Sequence, residues 1–127
     1  MKIKTSELTA TALDWAVAEA AGYKPSIYST QSIRAELPTG GVIAPFMPGF
    51  RWAQGGPIIE REIGNLYKQN KLDSTLPDVW TAIAYVKASI GTLVRYCDGP
   101  TPLIAAMRCF VASRLGDEVD VPANLIV

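Results

Sequence analysis

The sequence predicts an α+β fold, with two main helices packed on a small antiparallel sheet and long loops rich in proline and glycine. Three observations lead to this fold class. Two segments combine helical periodicity with recognisable helix starts and stops, two central segments are rich in β-branched and aromatic residues, and prolines and glycines interrupt most of residues 23–51. The 127 residues are expected to form one domain, 1–127, with a core that needs no disulfide or metal.

The first predicted helix begins after Thr9, its expected N-cap, and ends before Gly22. Leu13 and Val17 recur at helical spacing and belong to an apolar stripe, and the many alanines allow close approach to another element. A short edge strand at residues 2–4 is expected to lead into this helix.

The last predicted helix has the clearest local signals. Thr101 is its expected N-cap, Pro102 its first residue and Gly116 its stop. The helix is apolar on nearly all sides, which is typical of a helix at the centre of a fold. A short strand at 118–121 is expected to follow it.

Residues 23–51 are predicted to form a long, partly ordered excursion, with short strands around 27–28 and 41–43. Loops of this length in a compact domain are usually functional lids or oligomer contacts. The apolar side chains in this segment, among them Phe46 and Phe50, are not expected to remain free in water.

Residues 52–63 allow two interpretations. The Gly-Gly pair at 55–56 predicts a turn, after which Pro57 begins a short helix that ends at Glu62. A strand from 57 to 63 is the alternative.

The remaining central segments predict a turn followed by a hairpin. Residues 67–78 are polar and turn-like. Residues 79–86 and 91–97 are the predicted strands, and they are expected to pair with each other.

The composition argues against several classes of function. Twelve basic residues balance twelve acidic ones, so nucleic-acid binding driven by phosphate charge is unlikely. There is no histidine, and the two cysteines, Cys97 and Cys109, stand apart from any companion ligands, so neither a metal nor another cofactor is expected. Neither a signal peptide nor a membrane span is evident, which predicts a cytoplasmic protein. Hydrophobic residues make up 49% of the chain, and this surplus predicts a homo-oligomer, most simply a dimer.

A binding site for a small anionic ligand is predicted at two glycine- and proline-containing helix starts. Helix N-termini present unpaired N–H groups and partial positive charge, which suit phosphate or carboxylate. An indole on a loop can stack on a planar ring, and a neighbouring amide can recognise the edge of that ring. The predicted ligand-binding residues are Trp52, Gln54, Gly55, Gly56, Thr101 and Arg108.

Arg108 interrupts the apolar run of the last helix, and three interpretations of it remain open. A guanidinium there needs a carboxylate, backbone carbonyls or a ligand anion. A salt bridge to Glu60, Glu62 or Asp14 is one interpretation, ligand binding is the second, and extension of the side chain into solvent is the third. The acids at 60 and 62 also allow acid–base catalysis, although surface salt bridges are the commoner role of such a pattern.

Four stretches carry a family resemblance: "MKIKTSEL", "LDWAVA", "WAQGGPIIERE" and "GPTPLIAAMRCFVASRLGDEVDVP". They closely resemble the NinX-like family, small proteins of lambdoid and related tailed phages. The resemblance implies a phage accessory protein that is expressed in the bacterial cytoplasm and is not part of the virion. It brings no catalytic or binding residues with it.

Three functions follow from the residues and this context. By analogy with other small phage proteins, the first is a non-catalytic sponge that sequesters a nucleotide-like signal of host defence. A sponge requires a preorganised pocket and no nucleophile, and no recognisable catalytic set is present. The alternative is a protein- or nucleic-acid-binding accessory factor of phage recombination or replication. An enzyme that uses acids alone is the third.

Overall fold

The computed structural model describes residues 1–126 and shows three helices and eight strands in that part of the chain. Two single 3-10 turns, at Thr5–Glu7 and Ala123–Leu125, complete it. In chain order the elements are β1 (Lys2–Lys4), α1 (Ala10–Ala20), β2 (Lys24–Ser29), β3 (Ser32–Glu36), β4 (Val42–Phe46), α2 (Trp52–Glu62), β5 (Asn65–Lys68), β6 (Trp80–Ala88), β7 (Gly91–Gly99), α3 (Pro102–Leu115) and β8 (Glu118–Asp120).

The strands form three small antiparallel sheets. One has two strands in the order β1-β8, the second has the order β2-β3-β4, and the third has the order β5-β6-β7. In the first of these, Ile3 lies opposite Val119, so the two ends of the described chain lie side by side. The α+β class is therefore confirmed, whereas three sheets and three helices replace the predicted single sheet and two helices.

The helix α3 lies at the centre of the molecule. It packs on β6 and β7 on one side, and it also contacts α1 and α2. Thr101 accepts a hydrogen bond from the Ile104 N–H at 3.1 Å, and Gly116, with φ of 92°, ends the helix, as the sequence predicted. Small residues such as Ala105 and Ala106 are fully buried, so neighbouring backbones come close on several sides. The prediction of a central helix is confirmed.

The helix α1 also follows its prediction. It runs between the N-cap residue Thr9 and Gly22, whose positive φ of 81° suits a helix end. The Thr9 side chain, however, makes no capping hydrogen bond. Leu13 and Val17 are fully buried, as the apolar stripe requires.

Residues 23–51 are better ordered than predicted. The short strands expected near 27–28 and 41–43 are part of β2 and β4, and the unpredicted strand β3 lies between them. In β3, the buried Ile33 lies opposite Phe46, which is also buried. In these three strands the alternation of apolar and polar residues extends over only two or three residues at a time. Pairing between the strands, more than the local sequence, therefore stabilises this sheet.

The helix α2 corrects the interpretation of residues 52–63. It begins at Trp52, so Gly55 and Gly56 lie inside a helix and form no turn, and Pro57 is an interior residue. Neither the predicted start at Pro57 nor the alternative strand is present. Two glycines and a proline lower helix propensity. Close packing compensates, since a Cβ at Gly55 would lie only 2.6 Å from Leu103 of α3.

The hairpin of β6 and β7 is confirmed. Ala82 lies opposite Cys97 and Tyr85 opposite Val94 in a continuous antiparallel register. The strand β5, which includes Tyr67 and Lys68 of the predicted turn, adds a third strand to this sheet. No helix within residues 1–126 is long and apolar enough to cross a membrane.

Candidate functional site

All three helices begin at one groove. A hollow of about 360 Å³ is lined by the first turn of α1, including Thr9 and Thr11, and a second hollow of about 230 Å³ is lined by Trp52 of α2 and by Thr101 before α3. The two hollows adjoin, because both are lined by the same three residues, Gly49, Phe50 and Ile104. We call the combined cavity the helix-start groove.

The wall of the groove is the turn formed by residues 45–51. The Gln54 side chain holds this turn at two points: its Oε1 accepts the Met47 N–H at 2.5 Å, and its Nε2 donates to the Pro45 carbonyl at 3.0 Å. Asp14 Oδ1 accepts the Gly49 N–H at 3.1 Å and so ties the turn to α1. The turn is therefore preorganised by side chains from two helices.

The turn presents two aromatic side chains and a cation to solvent. Phe50 is 76% exposed and Trp52 is 55% exposed, and Arg51 is exposed between them. Within the described residues, no carboxylate lies within ion-pair distance of Arg51. The aromatic faces and the guanidinium are therefore all available to a ligand.

The helix starts add positive potential to the groove. The side chains of Thr9 and Arg51, which are the N-cap residues of α1 and α2, make no capping hydrogen bond. The first N–H groups of both helices consequently lack a side-chain partner, whereas α3 is capped by Thr101. Three converging positive helix ends favour an anion in the groove.

Asp14 is a buried acid that lines the first hollow. It is only 5% exposed, and burial raises its pKa to about 7 although the hydrogen bond from the Gly49 N–H lowers it. Its second oxygen, Oδ2, has no hydrogen-bond partner within residues 1–126. That oxygen is not fully buried, so it faces the hollow.

The structure unites some of the predicted ligand-binding residues and separates others. Trp52 and Thr101 line the same hollow. Gln54 is two residues after Trp52 in α2, but both ends of its amide are hydrogen-bonded to backbone groups of the turn. Gly55 is buried under that turn, and the space around Gly56 is open on the α2 surface.

Arg108 lies away from the helix-start groove. Its Nε donates to the Leu8 carbonyl and its Nη1 to the Asp98 carbonyl, each at 2.9 Å. Burial lowers the pKa of this guanidinium. The side chain lines a separate, open cleft of about 570 Å³ with Tyr96 and Cys97, which we call the Arg108 cleft.

The salt bridge considered for Arg108 is absent from residues 1–126. Glu62 instead pairs with Arg114 at 2.6 Å, and Asp14 bonds to Gly49. The partners of Arg108 are backbone carbonyls about 100 and 10 residues away along the chain, and sequence spacing gives no sign of them.

Sequence reasoning did not select Asp14 and Phe50, which line the groove, or Arg51, which lies between Phe50 and Trp52 in sequence. The signal for two of them was the triplet Phe-Arg-Trp at 50–52, which places a cation between two aromatic rings. The signal for Asp14 was an acid next to the apolar residue Leu13 in "ALDWAV".

The structure is thus an α+β domain with a groove at the starts of α1, α2 and α3, and the wall of this groove is held by side chains from two of these helices. Residues 4–114 match the family model described as "Bacteriophage P22, NinX". The match covers most of the chain, and the protein belongs to this phage family, as the resemblance predicted. No curated protein matches the chain.

Proposed function

We propose that this phage protein acts in the host cytoplasm as a non-catalytic binder of a small anionic, nucleotide-like ligand, and that it sequesters a signal of host defence. The binding site would be the helix-start groove. The observation that carries the proposal is the convergence of three helix starts on a groove lined by two exposed aromatic rings. The exposed Arg51 lies between these two aromatic residues in sequence and has no ion-pair partner within residues 1–126.

The groove suggests a role for each group. Phe50 and Trp52 would stack on the planar ring of the ligand. Arg51 and the uncapped N–H groups of α1 and α2 would hold its phosphate or carboxylate. Gln54 is assigned a positioning role, because its amide already holds the turn that carries the aromatic rings. Arg108 is assigned a structural role outside the groove.

The chemistry of the groove favours binding without turnover. Asp14 is the one acid that lines the two hollows, and no serine or cysteine lines either of them. The acids considered for catalysis lie elsewhere, since Glu62 is paired with Arg114 and Glu60 is exposed on α2. The hydroxyls that line the groove belong to Thr9, Thr11 and Thr101, and within residues 1–126 none of them is hydrogen-bonded to Asp14 as an activated nucleophile would be. A preorganised site of this kind suits a sponge.

Recovery of a natural ligand tests this proposal. The protein is incubated with extracts of bacteria in which nucleotide-signalling defence is active, re-purified and denatured, and the released small molecules are identified by mass spectrometry. An intact nucleotide retained by the wild type and lost by Arg51→Gln supports the proposal. Arg61→Gln is the matched control, because Arg61 is also exposed on α2 but at its far end, and this variant is expected to retain the ligand.

Two other outcomes contradict the proposal. A cleaved nucleotide would indicate an enzyme. A stable partner protein, with no small molecule recovered from any extract, would support the alternative of an accessory factor of phage recombination or replication.

One surface feature supports the further proposal that the protein is a homo-oligomer. The face of the β5-β6-β7 sheet opposite α3 carries Tyr85 and Tyr96, which are 58% and 67% exposed. Exposed aromatic side chains of this kind are enriched in interfaces with macromolecules. The simplest occupant of this face is a second copy of the chain, in agreement with the proposed homo-oligomer. Light scattering at micromolar concentration tests self-association. A monomer mass for the wild type would contradict the homo-oligomer, and an oligomer mass that Tyr96→Ser leaves unchanged would contradict the assignment of this face.

A further inference from the structure

Only one of the two carboxylate oxygens of Asp14 accepts a hydrogen bond within residues 1–126. Oδ1 accepts the Gly49 N–H at 3.1 Å, whereas Oδ2 has no hydrogen-bond partner within residues 1–126 and faces the first hollow. Since each carboxylate oxygen can accept about two hydrogen bonds, Oδ1 also keeps a free acceptor position. Asp14, which lines the hollow and is only 5% exposed, therefore has one wholly free acceptor oxygen and one that can accept a second hydrogen bond.

The fold itself does not require an acid at this position. An asparagine would present the same oxygen to the Gly49 N–H and would carry no charge into the interior. Burial raises the pKa of Asp14 to about 7, which shows that the ionised form is disfavoured in the absence of a ligand. What a carboxylate offers and an amide does not is acceptance at both oxygens.

We propose that Asp14 is a specificity-determining residue that binds a planar heterocycle with two adjacent N–H donors on one edge, as guanine has at N1 and its 2-amino group. This inference rests on the proposed function and names the class of base in the anionic ligand. Both carboxylate oxygens would accept, one from each donor, in the paired geometry that gives strong recognition.

The surroundings of Asp14 select this ligand over other N–H donors. A simple amine or guanidinium would carry positive charge toward three helix starts and Arg51, where an anion is favoured. Adenine and cytosine offer one exocyclic N–H donor beside a ring nitrogen that is an acceptor. If the donor binds one oxygen of Asp14, this nitrogen faces the other oxygen, and the two acceptors repel each other. The other walls include Met47, Phe50 and Ile104, which suit the faces of a neutral ring. The volume of about 360 Å³ is within the range of small-molecule pockets.

The test compares four bases on one scaffold. Calorimetric titration of the full chain uses the 5′-diphosphates of guanosine, inosine, xanthosine and adenosine. The guanosine compound is expected to bind about 10- to 100-fold more tightly than the inosine compound, which lacks the 2-amino donor. Xanthosine, which presents a carbonyl at that place, is expected to bind more weakly still.

The variant Asp14→Asn supplies the reciprocal measurement. Its side chain offers one acceptor and one donor, so it is expected to reverse the order and bind xanthosine diphosphate more tightly than guanosine diphosphate. Glu19→Gln is the matched control, because Glu19 is an exposed acid on the same helix, and it should leave the order unchanged. The melting temperature of Asp14→Asn confirms that the variant is folded.

The outcomes separate this inference from the proposed function. Equal affinity for the four bases, or a guanosine preference that Asp14→Asn retains, overturns the assignment of Asp14 and leaves nucleotide binding in place. Binding of none of the four also overturns the assignment, whereas the proposed function is decided by the recovery of natural ligand.

Discussion

The helix-start groove and the Arg108 cleft are both open cavities beside α3, and exposed aromatic rings line each of them. Arg108 lines the cleft, whereas Arg51 lies in sequence between the two aromatic residues of the groove. The two cavities differ in whether the guanidinium groups at or near them are already paired. In the cleft, the Arg108 guanidinium donates hydrogen bonds to two backbone carbonyls, whereas Arg51, next to the aromatic residues of the groove in sequence, has no ion-pair partner among residues 1–126. Free polar groups, rather than polar groups as such, distinguish a candidate binding site from a structural contact.

A second contrast concerns burial, and it is seen in one acid that lines each cavity, Asp98 in the cleft and Asp14 in the groove. Asp98, which lines the cleft, accepts hydrogen bonds from Thr81 and Gln69 at 2.7 and 3.5 Å through one oxygen. Asp14, in the groove, likewise uses one oxygen, but it is buried whereas Asp98 is exposed, so the second oxygen of Asp14 is the one that burial largely deprives of water. Substitutions in the two regions should therefore separate stability from ligand binding.

The largest expected effect is the pH-dependent gain in stability of Asp14→Asn. The pKa of Asp14 is raised from 3.8 to about 7 in the folded protein, so between these values the folded state holds a proton that the unfolded state has lost. Stability from this group therefore falls as the pH rises from about 4 to about 7, by up to about 4 kcal/mol. Urea denaturation should show Asp14→Asn and wild type nearly equal at pH 4 and the variant more stable at pH 8. A wild type as stable as the variant at pH 8 would contradict the buried, ionisable Asp14.

The next effect is the loss of stability on breaking the Arg108 contacts. Arg108→Met leaves the carbonyls of Leu8 and Asp98 without these donors and should lower the free energy of unfolding by about 2–3 kcal/mol. Arg114→Met on the same helix removes an exposed ion pair with Glu62 and should cost less than about 1 kcal/mol. If the two variants lose the same free energy of unfolding, the hydrogen bonds of Arg108 to the two carbonyls do not stabilise the fold.

A neighbouring pair of glycines tests the packing beneath the groove. A Cβ at Gly55 would lie 2.6 Å from the Leu103 side chain and closer still to the Pro48 carbonyl, so Gly55→Ala should destabilise the protein by about 1–3 kcal/mol. Gly56 has open space around it, and Gly56→Ala should stabilise α2 by about 0.5–1 kcal/mol. Thermal unfolding of both variants checks the opposite signs, and the same sign in both would contradict the position of α2.

The smallest expected effect on stability is that of Arg51→Gln. This side chain is exposed and has no ion-pair partner among the described residues, so the free energy of unfolding should change by less than about 0.5 kcal/mol. Any loss of nucleotide affinity in this variant can then be assigned to the groove. A large loss of stability measured by urea denaturation would show that Arg51 has a structural partner.

The predictable parts of the fold were those with local signals. The helices α1 and α3 have their starts, stops and apolar periodicity within their own residues, and the hairpin of β6 and β7 has the expected composition. The helix α2 contains two glycines and a proline, and it packs closely at Gly55 against the preceding turn at Pro48 and against Leu103, which is distant in sequence. Propensity alone could not predict such a helix.

The types of residue at the candidate site could be predicted from the sequence. Whether their polar groups are free to bind a ligand could be predicted less well. Trp52 and Thr101 line one hollow as the helix-start argument implied. Gln54 and Arg108 were reasonable choices by chemistry, but their side chains bond to backbone groups whose proximity only the fold determines. Asp14 could not be predicted for the same reason, because the sequence does not show that the 45–51 turn packs on α1 and leaves one carboxylate oxygen of Asp14 without a partner within residues 1–126.

The most direct test of the groove as the ligand site is a titration of ¹⁵N-labelled protein with guanosine 5′-diphosphate, followed by NMR. Binding at the helix-start groove predicts that the largest shifts occur in the amides of Gly49, Phe50 and Arg51 and in the Trp52 indole N–H. Largest shifts in Tyr96 and Cys97, beside Arg108, would contradict the account and transfer the site to the cleft.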